Sequence, residues 1–285
     1  MSYISSSCLK NKKIIDSINE LVEFGFDAIE LSGGTRPYAE METDLIQAEK
    51  NLGVKFLLHN YFPPPQEDFV LNLASSNDTI RSMSLEHIKR SIDLSIKLDT
   101  KKFAFHAGFL MDIKVEEIGK KITNTKLSDK SKSYDTFCEA YTELIAFAGK
   151  DIKLYIENNV FSKSNHESFK GINPLMLTDL NSYKELKSYI DFNLLLDVAH
   201  LKVSANTLNL DFDRELIELF NKTDYIHVSD NDGKHDTNSA FKKESTLYKQ
   251  LDLLDWSNKT VTIEVYDSLG NVKSSMDNIN KIINA

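Results

Sequence analysis

The chain is predicted to be α/β, a single-domain (β/α)8 TIM barrel covering residues 1–285. Three observations predict it. Apolar or β-branched runs recur along the whole length, and six of them close on a residue that can ligate a metal or move a proton: His59, His106, Glu157, Asp197, His227 and Glu264. The chain between successive runs is always long enough for a loop, a helix and a return, as parallel strands require. The length of 285 residues suits one such barrel, and no Pro/Gly/Ser-rich linker divides it. An open dinucleotide-binding sheet would carry a Gly-rich fingerprint after its first strand, and neither Gly33-Gly34 nor Gly108 has that spacing. A closed ring also brings the ends of six strands to one mouth, whereas an open sheet scatters them along an edge.

The elements follow in order. Ser2 to Cys8 reads as the first strand. Asn11 to Phe24 reads as a helix with Ile14, Ile15, Ile18, Leu21 and Val22 on one face, stopped by Gly25. Ala28 to Leu31 is the second strand, with Glu30 inside it as a catalytic or salt-bridged carboxylate, and Asp44 to Leu52 a short helix. Val54 to His59 is the third strand, ended by the YFPPP segment, which cannot continue it. Asn77 to Leu98 is a long helix with several N-caps at its start, and Lys102 to His106 the fourth strand. The polar, Lys-rich stretch from Gly108 to Ser133 is expected to act as a lid, followed by a helix from Tyr134 to Gly149. Leu154 to Glu157 is the fifth strand, and Asn158 to Leu175 a second active-site loop. Asp179 to Tyr189 is helical and Leu194 to Asp197 the sixth strand. Phe212 to Phe220 is helical and Tyr225 to Val228 the seventh strand. Ser245 to Leu254 is helical, Val261 to Val265 the eighth strand, and Met276 to Ile283 a closing helix.

Composition narrows the function. A net charge of −9 argues against nucleic acid as the main partner, because phosphate binding rests on Lys and Arg. Two cysteines, Cys8 and Cys138, make neither a disulfide framework nor a zinc spacing. With no signal-peptide core and no membrane span in the sequence, a cytoplasmic protein is expected, with a homo-oligomer left open. Glu157, Asp197, His227 and Glu264 would meet as three carboxylates and one imidazole, an anionic set that calls for a divalent cation: Mn, Mg, Co or Zn. His59, His106 and His200 lie at neighbouring strand ends and would add ligands or bind substrate. Arg36, in GGTRPY, reads either as a contact for an anionic part of the substrate or as a plain surface arginine. His87, His166, His235, Asp224 and Asp236 read as surface residues.

The ordered set FLLHNYF, FHAG, LYIENN, LLLDVAH, IHVSDNDG and VTIEVY resembles the xylose isomerase-like TIM-barrel superfamily, which includes sugar isomerases and epimerases and the endonuclease IV class of abasic-site nucleases. The resemblance implies that Glu157, Asp197, His227 and Glu264 form the common metal site. It also implies that His200 touches substrate or a further metal, and that His59 and His106 match extra zinc ligands of the nuclease. Asp236-Thr237-Asn238 has Asn where the nuclease has a ligating His. Lys163 and Gly233 stand where ketose 3-epimerases have a Glu and an Arg. The implied activity is metal-dependent isomerisation or epimerisation of a sugar by proton transfer through an enediolate, with Glu157 and Glu264 as bases and His200 orienting the oxyanion. The alternatives are an abasic-site phosphodiesterase, a sugar or inositol dehydratase, and a non-catalytic sugar-binding module.

Overall fold

Strict in–out alternation along eight short strands divides their side chains into two sets, and that division builds the molecule. The strands are β1 Ser2–Ser5, β2 Ala28–Leu31, β3 Lys55–His59, β4 Lys102–His106, β5 Lys153–Glu157, β6 Asn193–Asp197, β7 Tyr225–Val228 and β8 Thr260–Ile263. In a computed structural model, which describes residues 1–123 and 126–284, they pair in parallel in chain order and close through β8 on β1, Ile4 opposite Ile263. Outward residues such as Ile4, Ile29, Leu58, Phe103, Ile156, Leu196, Ile226 and Val261 join the large core beneath the helices. Inward residues Tyr3, Ala28, Leu57, Ala104, Tyr155, Leu195 and Tyr225 pack on one another as a separate layer that fills the lower barrel. Two residues further along each strand, at the C-terminal ends, the inward positions become polar: Glu30, His59, His106, Glu157, Asp197 and His227.

The helices are α1 Ile14–Glu23, α2 Met41–Leu52, α3 Asp78–Lys97, α4 Lys130–Ala148, α5 Lys163–Ser168, α6 Leu180–Tyr189, α7 Val198–Thr207, α8 Phe212–Phe220, α9 Thr246–Leu251 and α10 Leu269–Ile283. Side-chain caps fix several starts. Asn77 accepts from the Thr79 and Ile80 amides, and Asp179 forms a capping box with Ser182. Asp129 starts α4 ahead of the expected Tyr134, and Ser268 starts α10 ahead of the expected Met276.

Other expectations need correction. The first strand stops at Ser5, and Ser6–Cys8 turn into a 3-10 helix capped by the Ser5 hydroxyl. Glu264 lies one residue past β8 rather than inside it. The loop after β5 contains α5, and α7 went unforeseen. Val198, Val203 and Thr207 lower the helix propensity of α7, but Asp197 starts it by accepting the His200 amide at 2.7 Å. His87 is fully buried in α3 against Tyr61 and Phe69 rather than on the surface. The expected lid carries a 3-10 turn at Val115–Glu117 and an antiparallel bridge from Phe109 to Leu175; its residues 124 and 125 lie outside the described residues. No helix among the described residues is long and apolar enough to cross a membrane.

Candidate active site

Register brings the polar strand ends to one level. His106 pairs with Glu157 across β4 and β5, and Asp197 with His227 across β6 and β7. The result is a buried cluster centred on Glu157. Its Oε2 lies 2.7 Å from His59 Nε2 and 3.3 Å from His106 Nδ1. Its Oε1 lies 3.4 Å from His200 Nδ1 and 3.8 Å from His227 Nδ1, and makes no hydrogen bond. His227 Nδ1 is 3.1 Å from Glu264 Oε2. Ligand atoms of Glu157, Asp197, His227 and Glu264 all fall within 4.8 Å of one another, as do those of His59, Glu157 and His227, and those of His106, Glu157 and His200.

Residues outside the predicted set hold this arrangement. The far nitrogen of His227, Nε2, meets Glu30 Oε1 at 3.0 Å, and Glu30 also accepts from the Tyr225 hydroxyl and, at 2.7 Å, from Thr262. Glu30 therefore takes the structural option of the two foreseen for it, and fixes which face His227 presents to the cluster. Asn158 ties β5 to β6, accepting the Asp197 amide at 2.7 Å and donating to the Asp197 carbonyl at 3.0 Å. The Asn158 carbonyl also takes His200 Nδ1–H at 2.9 Å, which leaves Nε2 facing Asp236 at 3.2 Å. Asp236, expected at the surface, is drawn into the site by that contact. Tyr266 donates to Glu264 Oε1 at 2.8 Å, and Ser7 lies 3.4 Å from the same oxygen. Of these partners only Glu30, inside an apolar strand, and Asp236, in the Asp-Thr-Asn segment after β7, carried a sequence signal.

Electrostatics test whether the cluster suits a cation. Burial alone would raise the Glu157 carboxyl, but the imidazoles of His106, His59 and His200 hold it well below the usual carboxylate range. Burial also opposes ionisation of Glu264, yet its hydrogen bond to His227 holds it down at about 2. Asp197 behaves differently. Burial pushes it up to about 7, Glu157 and Asp236 add to the rise, and His200 only partly offsets them. The protein groups around Asp197 thus leave it short of positive charge, and the Glu157 Oε1 beside it has no donor. A hard or borderline divalent cation meets both needs, so the donor set of three carboxylates and one imidazole fits such an ion. Burial would lower the His200 pKa, but Asp197 and Asp236 hold it well above its ordinary value. His106 moves the opposite way, pushed down to about 4 by burial.

The cluster opens into a cavity of about 960 Å3 whose lining includes His59, His106, Glu157, His200, Asp236 and Glu264. Arg36 is not in that lining. It is exposed and paired with Asp68 at 3.2 Å, the surface-arginine reading of the two its sequence allowed. His235 is solvent-facing and paired with Asp232, and Asp224 pairs with Lys102 and Lys153 at the opposite end of the barrel.

Comparisons agree on the fold. The uncharacterized protein MJ1614 of Methanocaldococcus jannaschii is 21% identical over 254 residues, covering 82% of this chain and 87% of that protein. A D-tagatose 3-epimerase-like protein superposes with a TM-score of 0.73 at 19% identity, covering 99% of this chain and 98% of that one. D-psicose 3-epimerase from Clostridium cellulolyticum H10, solved with D-tagatose, superposes at 0.66 and 13% identity, covering 99% and 97%. At such identities the structural likeness is one of fold. The family model of the xylose isomerase-like TIM barrel matches residues 18–282, and the chain belongs to that family.

Proposed function

We propose that the protein is a divalent-metal-dependent isomerase or epimerase of a sugar or sugar derivative. One observation carries the reading: two carboxylates, the buried Glu157 at the end of β5 and the partly buried Glu264 just past β8, meet beside Asp197 and His227 at an open cavity. Glu157, Asp197, His227 and Glu264 would hold Mn, Mg, Co or Zn; when bound, the ion supplies Lewis-acid stabilisation of negative charge on substrate oxygen. Glu157 and Glu264 are both held ionised, so either can take a proton from the carbon beside a carbonyl, and the other can return it. Return on the opposite face of the same carbon epimerises; return at the neighbouring carbon of the enediolate interconverts aldose and ketose. His200 is fixed by Asn158, and Asp197 and Asp236 favour its protonated form, so it would orient and stabilise the developing oxyanion. The test is solvent exchange. With Mn and a panel of ketoses in deuterated water, the wild type should place deuterium next to the carbonyl. Glu157→Gln and Glu264→Gln should each slow that exchange about 100-fold or more. Exchange undiminished in both variants would overturn the assignment.

A second reading, phosphodiester hydrolysis, is favoured by one observation: His59 and His106 both reach Glu157 Oε2, and Asp236 reaches His200, which would suit more than one ion. The net charge of −9 speaks against a nucleic-acid substrate. Metal content per chain together with nicking of abasic DNA separates the two readings.

A further inference from the structure

Among the residues that line the cavity, two groups are unlike. One is the charged cluster. The other is a wall built from Val70, Phe109, Ile113, Ile118, Ile122 and Leu175, which line the same cavity. Ile118 leaves 47% of its surface uncovered. The wall is not loose loop. Phe109 bridges Leu175, the Leu110 amide donates to the Pro174 carbonyl at 2.8 Å, and the Met176 amide donates to the Gly108 carbonyl at 3.0 Å. Behind it, Met111, Ile122, Phe161, Phe169 and Leu175 form a core of their own, apart from the barrel's two.

Backbone polar groups within and around the wall are already used. Asn72 donates to the Phe109 and Met111 carbonyls, Asn159 to the Ala107 and Met176 carbonyls, and Asn165 accepts the Ile122 amide at 2.8 Å. Glu117 Oε1 is taken by Thr123, and its Oε2 is buried without a partner. A sugar hydroxyl placed directly against these apolar side chains would lose water without gaining a partner from them, while Lys120, Ser162 and Ser164 line the same cavity elsewhere. The cavity is also at the top of the range of about 300–1,000 Å3 that encloses drug-sized ligands, and a single monosaccharide is smaller than those.

We infer that the wall is an apolar subsite, and that the substrate is a sugar conjugate whose far end carries an aromatic or aliphatic group. This deepens the proposed sugar reaction and rests on it. The polyol and carbonyl face Glu157 and Glu264, and the apolar group lies against Phe109, Ile113 and Ile118.

Calorimetric titration of the Mn-loaded protein with D-fructose, D-tagatose and D-psicose, each against its 6-O-benzyl ether, tests this. At least one benzyl ether should bind about 10-fold tighter than its parent or better, the discrimination available from modest apolar contact. The double variant Ile113→Ser/Ile118→Ser, checked for folding by its melting transition, should remove most of that advantage. Equal affinity of ether and parent, an advantage that survives the double variant, or no binding of any compound would each overturn the subsite. Deuterium exchange on the free ketoses stands apart. Exchange without a benzyl advantage sinks the subsite alone, whereas a benzyl advantage without exchange keeps the subsite and sinks the reaction.

Discussion

At the scale of single residues, the site shows how much depends on groups that never face the cavity. Glu30 sits fully buried behind His227, and burial, which would raise its carboxyl, is outweighed by His227 itself. Replacing it with Gln should leave the fold intact but weaken Mn or Zn binding about 10- to 100-fold, measurable by competition with a chelating dye. His87 makes a separate prediction. Neither ring nitrogen has a hydrogen-bond partner, and burial, helped by Arg90, lowers its pKa from 6.5 to about 4. Between those two values the unfolded chain takes up a proton that the folded chain refuses. Stability from this group is therefore intact above pH 6.5 and drains away as pH falls toward 4, by about 3 kcal/mol in all. His87→Phe, packed against Tyr61 and Phe69, should flatten that part of the urea-unfolding profile relative to wild type; parallel profiles would refute the assignment. Sequence could nominate Glu157, Asp197, His227 and Glu264, because each ends an apolar run. It could not see that Arg36 would find Asp68, or that His87 would turn inward, because those outcomes depend on partners distant in sequence.

At the scale of elements, the strands and most helices were legible because the alternation of two and the period near 3.6 are written directly in the apolar residues. The helix α7 was not, since its β-branched content masks it and its cap, Asp197, doubles as the end of β6. The β4 and β5 loops show the same limit: their polar composition hides a third apolar core that exists only once they pair. Their junction is tight. A Cβ on Gly108 would lie 2.7 Å from Ala74 Cβ and 3.1 Å from both Met176 and Phe137. Gly108→Ala should therefore destabilise the protein by about 1–3 kcal/mol, seen as a lower urea midpoint. Because Gly108 also holds the Met176 amide, the strain falls on the loop pairing that carries the apolar wall.

At the scale of the whole molecule, a barrel that concentrates carboxylates at one rim should gain stability from a divalent cation bound among them. An ion bound only by the folded form, at a hundredfold excess over its Kd, adds about 2.7 kcal/mol. Scanning calorimetry with and without Mn should show this as a higher melting temperature, and Asp197→Asn should lose most of the gain. The opposite end of the ring is closed. Tyr3, Tyr155 and Tyr225 plug the lower barrel with their neighbours, and Lys102 caps the Tyr155 and Tyr225 rings at 5.1 and 5.4 Å while pairing with Asp224. That stopper makes the vessel single-doored. Whatever sits deepest must leave by the one open mouth, so under the proposed function a bound sugar would imprison a bound ion: chelators should strip the Mn-loaded protein quickly when it is free of substrate and slowly when it is saturated.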